Sequence, residues 1–196
     1  MSKLVLTEFL EFRTDSDLLT EAERKAVQEG EEIYLAGVMQ RAGATNGNGR
    51  IYPKQILERE VENYQKLVRE GRAVGELDHP DSSVVELKNA SHLVTEIKMD
   101  GDDVVGKIRI LDTPAGQTAI GLLKGGVKLG ISSRGLGSTR NEAGKTIVQE
   151  DFQLVCFDLV SEPSTTGAFM LREGKEPNIF TKADKINRLL NDLVKE

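Results

Sequence analysis

The stretch "VKLGISSRGLGS", residues 127–138, begins with the pattern of a strand and ends with the composition of a loop. Val127, Leu129 and Ile131 alternate with polar or small residues, which is the period of two of a half-buried strand. Two serines, an arginine and a glycine follow at 132–135, where we expect the strand to end. A turn explains the glycine but not the paired hydroxyls. The stretch is therefore the first candidate both for the sheet and for chemistry.

The composition is typical of one globular domain of ordinary size. The chain has 196 residues, of which 38% are hydrophobic and 30% are charged. With 32 acidic and 26 basic residues the net charge is −6. A nucleic-acid-binding protein normally carries a basic patch, so we expect no nucleic-acid partner.

Cysteine content and hydropathy predict a protein that is made and used in the reducing interior of a cell. Cys156 is the only cysteine, so no internal disulfide can form and no thiolate cluster can bind zinc. Its apolar surroundings favour a small buried residue over a nucleophile. Glu8 and Glu11 interrupt the apolar N-terminal stretch, which therefore lacks the core of a signal peptide. No stretch reaches the roughly 18 apolar residues of a membrane span, so we expect no membrane partner.

The rest of the chain predicts many strands with a few helices between them. Strands are expected over 3–12, 32–40 and 145–160, with one hairpin over 92–111 and another around "NEAGK" at 141–145. Helices are expected over 15–30, from Pro53 onward, over 113–126 and over 181–196. Together these elements predict an α+β fold built on a curved or barrel-like sheet.

Two histidines are the candidates for a general base. Histidine is the side chain best suited to proton transfer near neutral pH. His79 lies beside Pro80 in the irregular segment "GELDHPDSS", a setting in which functional side chains concentrate. His92 opens a strand in "NASHLVTEI" and could simply cap or pack there. We favour His79 as the base, although a structural role is the commoner outcome for a single histidine.

Asp158 is the candidate for a third member of a catalytic triad. It interrupts the apolar run "LVCFDLV", where an unpaired ionised carboxylate would cost several kcal/mol. Such a carboxylate can orient a catalytic histidine. A salt bridge to an arginine explains it nearly as well.

Two further motifs are set aside, and we expect no metal and no cofactor. "EAGKT" resembles part of a phosphate-binding loop, but that motif needs a glycine where Thr139 stands. Asp78, His79 and Asp81 could ligate a metal, yet no second cluster has matching spacing.

Four motifs in order resemble the prohead core proteases of T-even-type tailed bacteriophages, which are serine peptidases distantly similar to herpesvirus assemblin. They are "TNGNGRIYP", "GELDHP", "GISSRGLGS" and "DLVSEPS", and the resemblance covers about residues 33–170. It implies a herpesvirus-protease-like fold, with a mostly antiparallel, barrel-like sheet surrounded by helices. It divides the chain into a protease domain, 1–173, and a removable helical tail, 174–196.

The resemblance also implies a function. The chain is expected to be an endopeptidase that cuts phage scaffold or core proteins and the major capsid protein, inside the prohead in the host cytoplasm. An inactive structural homologue serving as internal scaffold is the alternative. A small-ligand-binding barrel, with His79 and Asp158 unlinked, is a third hypothesis. The sequence is compatible with a homo-oligomer.

Site residues follow from the resemblance motif by motif. His79 is implied to be the general base and Asp158 to stand where the herpesvirus relatives have a second histidine. Strand alternation groups Ser133 with the buried residues, whereas the Ser-x-Gly arrangement of the relatives matches Ser133 and Gly135. We prefer Ser133 as the nucleophile, with Ser132 as the alternative, and expect the glycines to let the backbone approach the substrate.

Two further features are implied by the relatives. The oxyanion donors are expected either at Thr166 and Gly167, in the loop "PSTTG", or at the backbone N–H groups of Arg134 and Gly135. Relatives cut after Glu in Leu/Ile-x-Glu triplets, and here such triplets end at Glu8, Glu21, Glu58 and Glu173. We expect self-cleavage between Glu173 and Gly174, because a polar stretch follows there.

Overall fold

A computed structural model describes residues 4–9, 20–23, 25, 32–80, 82–125, 127–161 and 169–172. Within these residues the strands are β1 (Leu4–Phe9), β2 (Tyr34–Arg41), β3 (Arg50–Ile51), β4 (Val74–Glu76), β5 (Ala90–Asp100), β6 (Asp103–Ile110), β7 (Leu129–Gly137), β8 (Thr139–Glu142), β9 (Lys145–Val148), β10 (Gln153–Val160) and β11 (Phe169–Arg172). The helices are α1 (Lys54–Arg69), α2 (Pro114–Lys124) and a short 3₁₀ helix (Leu87–Asn89). Residues 21–23 and 25 are also helical.

Two sheets organise the described residues. Eight strands form the larger sheet, in the order β1-β7-β11-β2-β6-β5-β4, with β10 also paired to β7. All of these strand pairs are antiparallel. A smaller sheet has the order β3-β9-β8. The expected strand-rich, mixed α/β fold with few helices is confirmed.

The hairpins and helices follow their sequence signals. β5 and β6 turn at Gly101, whose φ is +61°. Ala143 and Gly144 have φ values of 49° and 78° and join β8 to β9, so "EAGKT" forms a hairpin turn and not the start of a helix. α1 begins after Pro53, and its apolar stripe faces the core. The Thr113 hydroxyl accepts the Gly116 N–H at the start of α2.

β7 is longer than its local sequence predicts. The strand does not end at the serines but continues to Gly137. β1 pairs with residues 132–137 along one edge, and β10 pairs with residues 130–136 along the other. Because both neighbours hold this segment in the sheet, its two glycines are extended in spite of their turn propensity.

Two glycines of β7, Gly135 and Gly137, face an aromatic ring. An added Cβ at Gly135 would lie 2.7 Å from the Gln153 carbonyl and closer still to the Phe152 ring. One at Gly137 would lie 2.9 Å from the Phe152 Cα. Phe152 is buried and packs edge-on against Tyr52, with ring centroids 5.1 Å apart. The expectation that these glycines face a substrate is therefore wrong, because they make room for the core.

Of the two helices expected near the ends of the chain, the described residues include part of the first and none of the second. Four described residues of the expected helix over 15–30 are helical. The expected helix over 181–196 lies outside the described residues. Within the described part of the chain, no helix has the length and apolar character needed to cross a membrane.

Candidate active site

Strand register places Ser132 and Asp158 side by side. The two residues are direct partners in the antiparallel pair of β7 and β10. Opposed residues of such a pair project from the same face of the sheet, with their Cβ atoms roughly 5 Å apart. Both side chains are fully buried. The sheet alone therefore brings a hydroxyl and a carboxylate together, before any loop contributes.

His79 reaches this pair from the segment that follows β4. The preceding residue, Asp78, has a φ of 66°, and its N–H donates to the Leu159 carbonyl at 2.7 Å. Leu77 forms a parallel bridge with Leu159 as well. Aspartate tolerates this left-handed conformation better than most residues, so the chain can turn sharply just before His79. These contacts fix the histidine above β10.

The imidazole of His79 joins the hydroxyl to the carboxylate. Its Nε2 is hydrogen-bonded to Ser132 Oγ. Its Nδ1 lies 2.7 Å from Asp158 Oδ2. An ionised carboxylate only accepts, so Nδ1–H donates to Asp158 and Nε2 accepts the Ser132 proton. The His79 side chain is 17% exposed, whereas its two partners are buried. The expected convergence of His79, Asp158 and one of the two serines is therefore present, and the unlinked arrangement expected of a small-ligand barrel is not.

Ser133 lies on the opposite face of β7. It pairs with Phe157, whose side chain is in the core. The Ser133 hydroxyl is buried and has no hydrogen-bond partner among the described residues. The preference for Ser133 as the serine that meets His79 is wrong, because the strand continues through both serines and its pleat sends them apart. Strand alternation alone groups Ser133 with the buried residues, in agreement with the structure, whereas the Ser-x-Gly resemblance favours Ser133 as the nucleophile.

Asp158 makes both of the contacts expected from the sequence, a hydrogen bond to a histidine and a salt bridge to an arginine. Besides His79 it contacts Arg134, whose Nε lies 3.0 Å from Oδ2 and whose Nη2 donates to Oδ1 at 3.2 Å. The Glu76 N–H donates to Oδ1 at 3.0 Å, and the Cys156 thiol at 3.3 Å. Burial alone would raise the pKa of Asp158, but the His79 hydrogen bond and the Arg134 charge lower it below its usual value. The carboxylate is therefore ionised at neutral pH.

Arg134 and Glu76 were not singled out as side chains of the site. Arg134 is fully buried; its Nη1 donates to the Ser82 carbonyl at 2.7 Å and its Nη2 contacts a Glu76 oxygen. Glu76 is equally buried at the end of β4. One signal was available, because Arg134 shares the strand parity of Ser132 and had to lie on the same face.

The two pairs of expected oxyanion donors have different outcomes. Arg134 pairs with both Thr7 and Cys156, and Gly135 is likewise paired on both edges of β7. Backbone N–H groups of a doubly paired strand lie in the plane of the sheet and bond to its neighbours, which argues against Arg134 and Gly135 as donors to a substrate. Thr166 and Gly167 lie outside the described residues.

His92 has a structural role. It is fully buried, its Nε2–H donates to the Phe157 carbonyl at 3.0 Å, and its Nδ1 accepts the Ser91 hydroxyl at 2.8 Å. Burial lowers the pKa of His92 to about 4, so it is neutral. Cys156 is buried as expected, and burial together with the nearby Asp158 charge raises the pKa of its thiol.

The arrangement on β7 and β10 is typical of one class of protein. A hydroxyl, an imidazole and a buried carboxylate in one row are the elements that hydrolases use to attack a carbonyl carbon through an activated serine.

Comparison with known proteins identifies the family. A family model described as "prohead core protein serine protease" matches residues 12–179, and the chain belongs to this family. It is 34% identical over 173 residues to the prohead core protein protease of Enterobacteria phage T4, an alignment covering 84% of this chain and 82% of the relative. The solved structure of the bacteriophage T4 capsid assembly protease matches with a TM-score of 0.67 and 27% identity, over 82% of this chain and 99% of that one. The chain is a peptidase with a role in phage head maturation.

Proposed function

We propose that the protein is a serine endopeptidase in which Ser132 is the nucleophile, His79 the general base and Asp158 the carboxylate that orients the base. One observation carries the assignment: the hydrogen-bonded row from Ser132 Oγ through both ring nitrogens of His79 to Asp158 Oδ2. The inactive-homologue alternative lacks support, because the row is complete.

The geometry supports a two-step hydrolysis. As Ser132 Oγ attacks the scissile carbonyl carbon, its proton passes to His79 Nε2. His79 then gives this proton to the leaving amine, so the C–N bond breaks and an ester forms on Ser132. A water molecule, deprotonated by His79, attacks the ester, and the proton returns to Ser132. Asp158 accepts the Nδ1–H throughout and stabilises the imidazolium of each step.

The substrates are proposed from the family. We assign to the chain the cleavage of scaffold or core proteins and of the major capsid protein, inside the prohead in the host cytoplasm. The match to the T4 capsid assembly protease supports this assignment. We keep the expectation of no nucleic-acid or membrane partner, and a homo-oligomer is compatible with it.

The finer description of the fold is also a proposal. We assign a barrel-like, herpesvirus-protease-like architecture in which the larger sheet closes on itself. The parallel bridge between Leu77 and Leu159 supports it, because it joins the end of β4, the last strand of the sheet order, to β10. For the oxyanion donors we retain Thr166 and Gly167, since the other pair lies in a doubly paired strand.

Self-cleavage between Glu173 and Gly174 is proposed by comparing the four triplets. A protease binds its substrate in an extended form, so sites inside regular structure are protected until that structure opens. Glu8 lies in β1, Glu21 in a helical segment and Glu58 in α1. This comparison favours Glu173 and divides the chain into a protease domain, 1–173, and a removable tail, 174–196.

Mass spectrometry tests this cleavage directly. Incubation of the intact chain should produce a species lacking its last 23 residues. Glu173→Ala should block the product, and Glu58→Ala, at a triplet inside α1, should leave it unchanged. A chain that cuts an added Leu-x-Glu peptide while keeping its full length would rule out this site but not the protease.

A serine-reactive fluorophosphonate tests the proposed function itself. We expect one adduct, which peptide mapping places on Ser132, together with parallel loss of cleavage of a Leu-x-Glu peptide. Denatured protein is the control for nonspecific labelling. An adduct on Ser133, or cleavage that persists after complete labelling of Ser132, would contradict the assignment.

A further inference from the structure

Glu76 connects the loop that carries His79 to the catalytic carboxylate. It is the last residue of β4, three positions before His79, and its side chain is fully buried. Its Oε1 accepts the Glu86 N–H at 3.1 Å and the Asn89 side-chain amide at 3.4 Å. Its own N–H donates to Asp158. Glu76 thus begins the loop, and it is hydrogen-bonded to the far end of the loop and to Asp158 on β10.

The site contains more buried negative charge than the triad needs. Arg134 is paired with the carboxylates of both Glu76 and Asp158. While His79 is neutral, two carboxylates and one guanidinium leave this cluster with a net charge of −1. Buried ionic groups are costly, and a paired arginine and aspartate alone would have been neutral. The second carboxylate therefore requires an explanation.

We propose that Glu76 is a positioning residue of the active site. Its carboxylate gives the buried cluster of Glu76, Arg134, Asp158 and His79 a net charge of −1, which is neutralised when His79 accepts the Ser132 proton. This inference rests on the proposed triad. When the proton moves, His79 becomes an imidazolium and the net charge of the cluster rises from −1 to zero. The arrangement therefore stabilises the protonated base of the tetrahedral intermediate more than the resting state, which is the condition for an effect on rate.

Other ionisable groups surround the cluster, and they are the same in the wild type and in the variants described below. They are Cys156 on β10, His92 on β5, Tyr64 on α1, Asp78 beside His79, and Glu86 and Lys88 on the loop. His92 is neutral, and burial raises the pKa of both Cys156 and Tyr64. Cys156 also hydrogen-bonds Arg134, but its thiol is neutral because its pKa is raised, so it leaves the charge count unchanged.

Three variants test the charge count through the pH profile of kcat/KM. Glu76→Gln removes a negative charge, so protonation of His79 becomes harder and the acid limb should move to lower pH. With an effective dielectric constant of about 20, the shift is on the order of one pH unit, and kcat should fall about tenfold with little change in KM. Arg134→Gln should move the limb the opposite way. The double variant restores the net charge of −1 and should return the limb to its wild-type position.

A matched control separates charge from structure. Glu60 is also buried, accepts the Leu154 N–H at 2.8 Å and pairs with Arg59 at 2.9 Å, away from the triad. Glu60→Gln should lower thermal stability without moving the acid limb. Rates are expressed per mole of protein that reacts with a fluorophosphonate, so that unfolded material does not count.

The possible results divide clearly. Opposite shifts in the two single variants, cancelled in the double variant, support the proposal. Shifts of the same sign, or no shift in Glu76→Gln, overturn it. If a single variant does not fold, the double variant decides by itself: a limb at the wild-type position supports the charge count, and a displaced limb refutes it. A wild-type protein that neither cleaves nor reacts with fluorophosphonate would instead overturn the proposed function.

Discussion

The two faces of β7 and β10 differ in chemistry although their residues alternate along the same strands. One face carries Ser132, Arg134 and Asp158, all buried and linked by hydrogen bonds or ion pairs to each other or to His79. The other carries Ser133 and Phe157, and its polar hydroxyl has no described partner. Both serines are buried, so burial alone does not distinguish the serine that we propose as the nucleophile from its neighbour. What distinguishes them is which face the loop bearing His79 covers.

The largest expected effect comes from removing the hydroxyl on the polar face. Ser132→Ala should lower kcat by about four to six orders of magnitude, because nucleophile and base act as one unit. Cleavage of a Leu-x-Glu peptide by the purified variant, with circular dichroism to confirm folding, measures the loss. Full activity in this variant would exclude Ser132 as the nucleophile.

A somewhat smaller loss is expected at the carboxylate. Asp158→Asn should lower kcat by about four orders of magnitude, because the amide no longer holds His79 in the productive tautomer. The same variant should melt at a lower temperature, since Arg134 loses one of its two buried carboxylate partners. Activity per folded molecule and melting temperature, measured on one preparation, report the two roles separately. A drop in melting temperature alone would leave Asp158 with only its ion-pair role.

Sequence pattern predicted most of the elements because their signals are local. The turn at Gly101 and the apolar stripe of α1 are set by residues close together in the chain. His79 and Asp158 were also predictable, one as a histidine in an irregular segment and the other as a lone carboxylate in an apolar run. Each signal lies within a few residues of the group that it identifies.

The choice between the serines depended on contacts distant in sequence. β10 has an irregularity between Leu154 and Cys156, and the register after it sets Asp158 opposite Ser132. A bulge of this kind shifts which residues share a face, and nothing in the local sequence marks it. The extension of β7 past its serines likewise depends on pairing with β1, more than a hundred residues earlier. Tertiary pairing of this kind is not visible in a local pattern.

The next largest effect is expected from a steric clash on the core face of the sheet. Gly75→Ala would place a methyl group against the Phe157 carbonyl and the His92 ring, and should destabilise the fold by about 3 kcal/mol. Gly121→Ala is the matched control, because nothing lies within 4 Å of that site in α2. The control should be stabilised by about 0.5–1 kcal/mol through helix propensity. Urea unfolding of both variants gives the comparison, and equal stabilities would contradict the close packing at Gly75.

Acid should weaken the fold first through His92. The pKa of His92 is about 4 in the folded protein, whereas the ordinary histidine pKa is about 6.5, so between these values only the unfolded chain binds the proton. Stability from this group is complete above pH 6.5 and falls by about 3 kcal/mol as the pH drops to 4. Asp158, whose folded pKa is lowered, adds its loss only below its unfolded value near 4. Unfolding free energies from pH 7 to 4 should show the slope, and His92→Gln should flatten it.

The smallest effect is expected at Ser133, and it tests the comparison of the two faces most sharply. Its buried hydroxyl has no described hydrogen-bond partner, so Ser133→Ala removes a desolvated polar group while leaving a residue of nearly the same size. We expect stability to change by no more than about 1 kcal/mol, in the stabilising direction, with kcat/KM within twofold of wild type. Assaying it beside Ser132→Ala compares adjacent hydroxyls that differ chiefly in the face they occupy. A loss of activity in Ser133→Ala as large as that in Ser132→Ala would mean that the chemistry does not depend on which face of the sheet His79 covers.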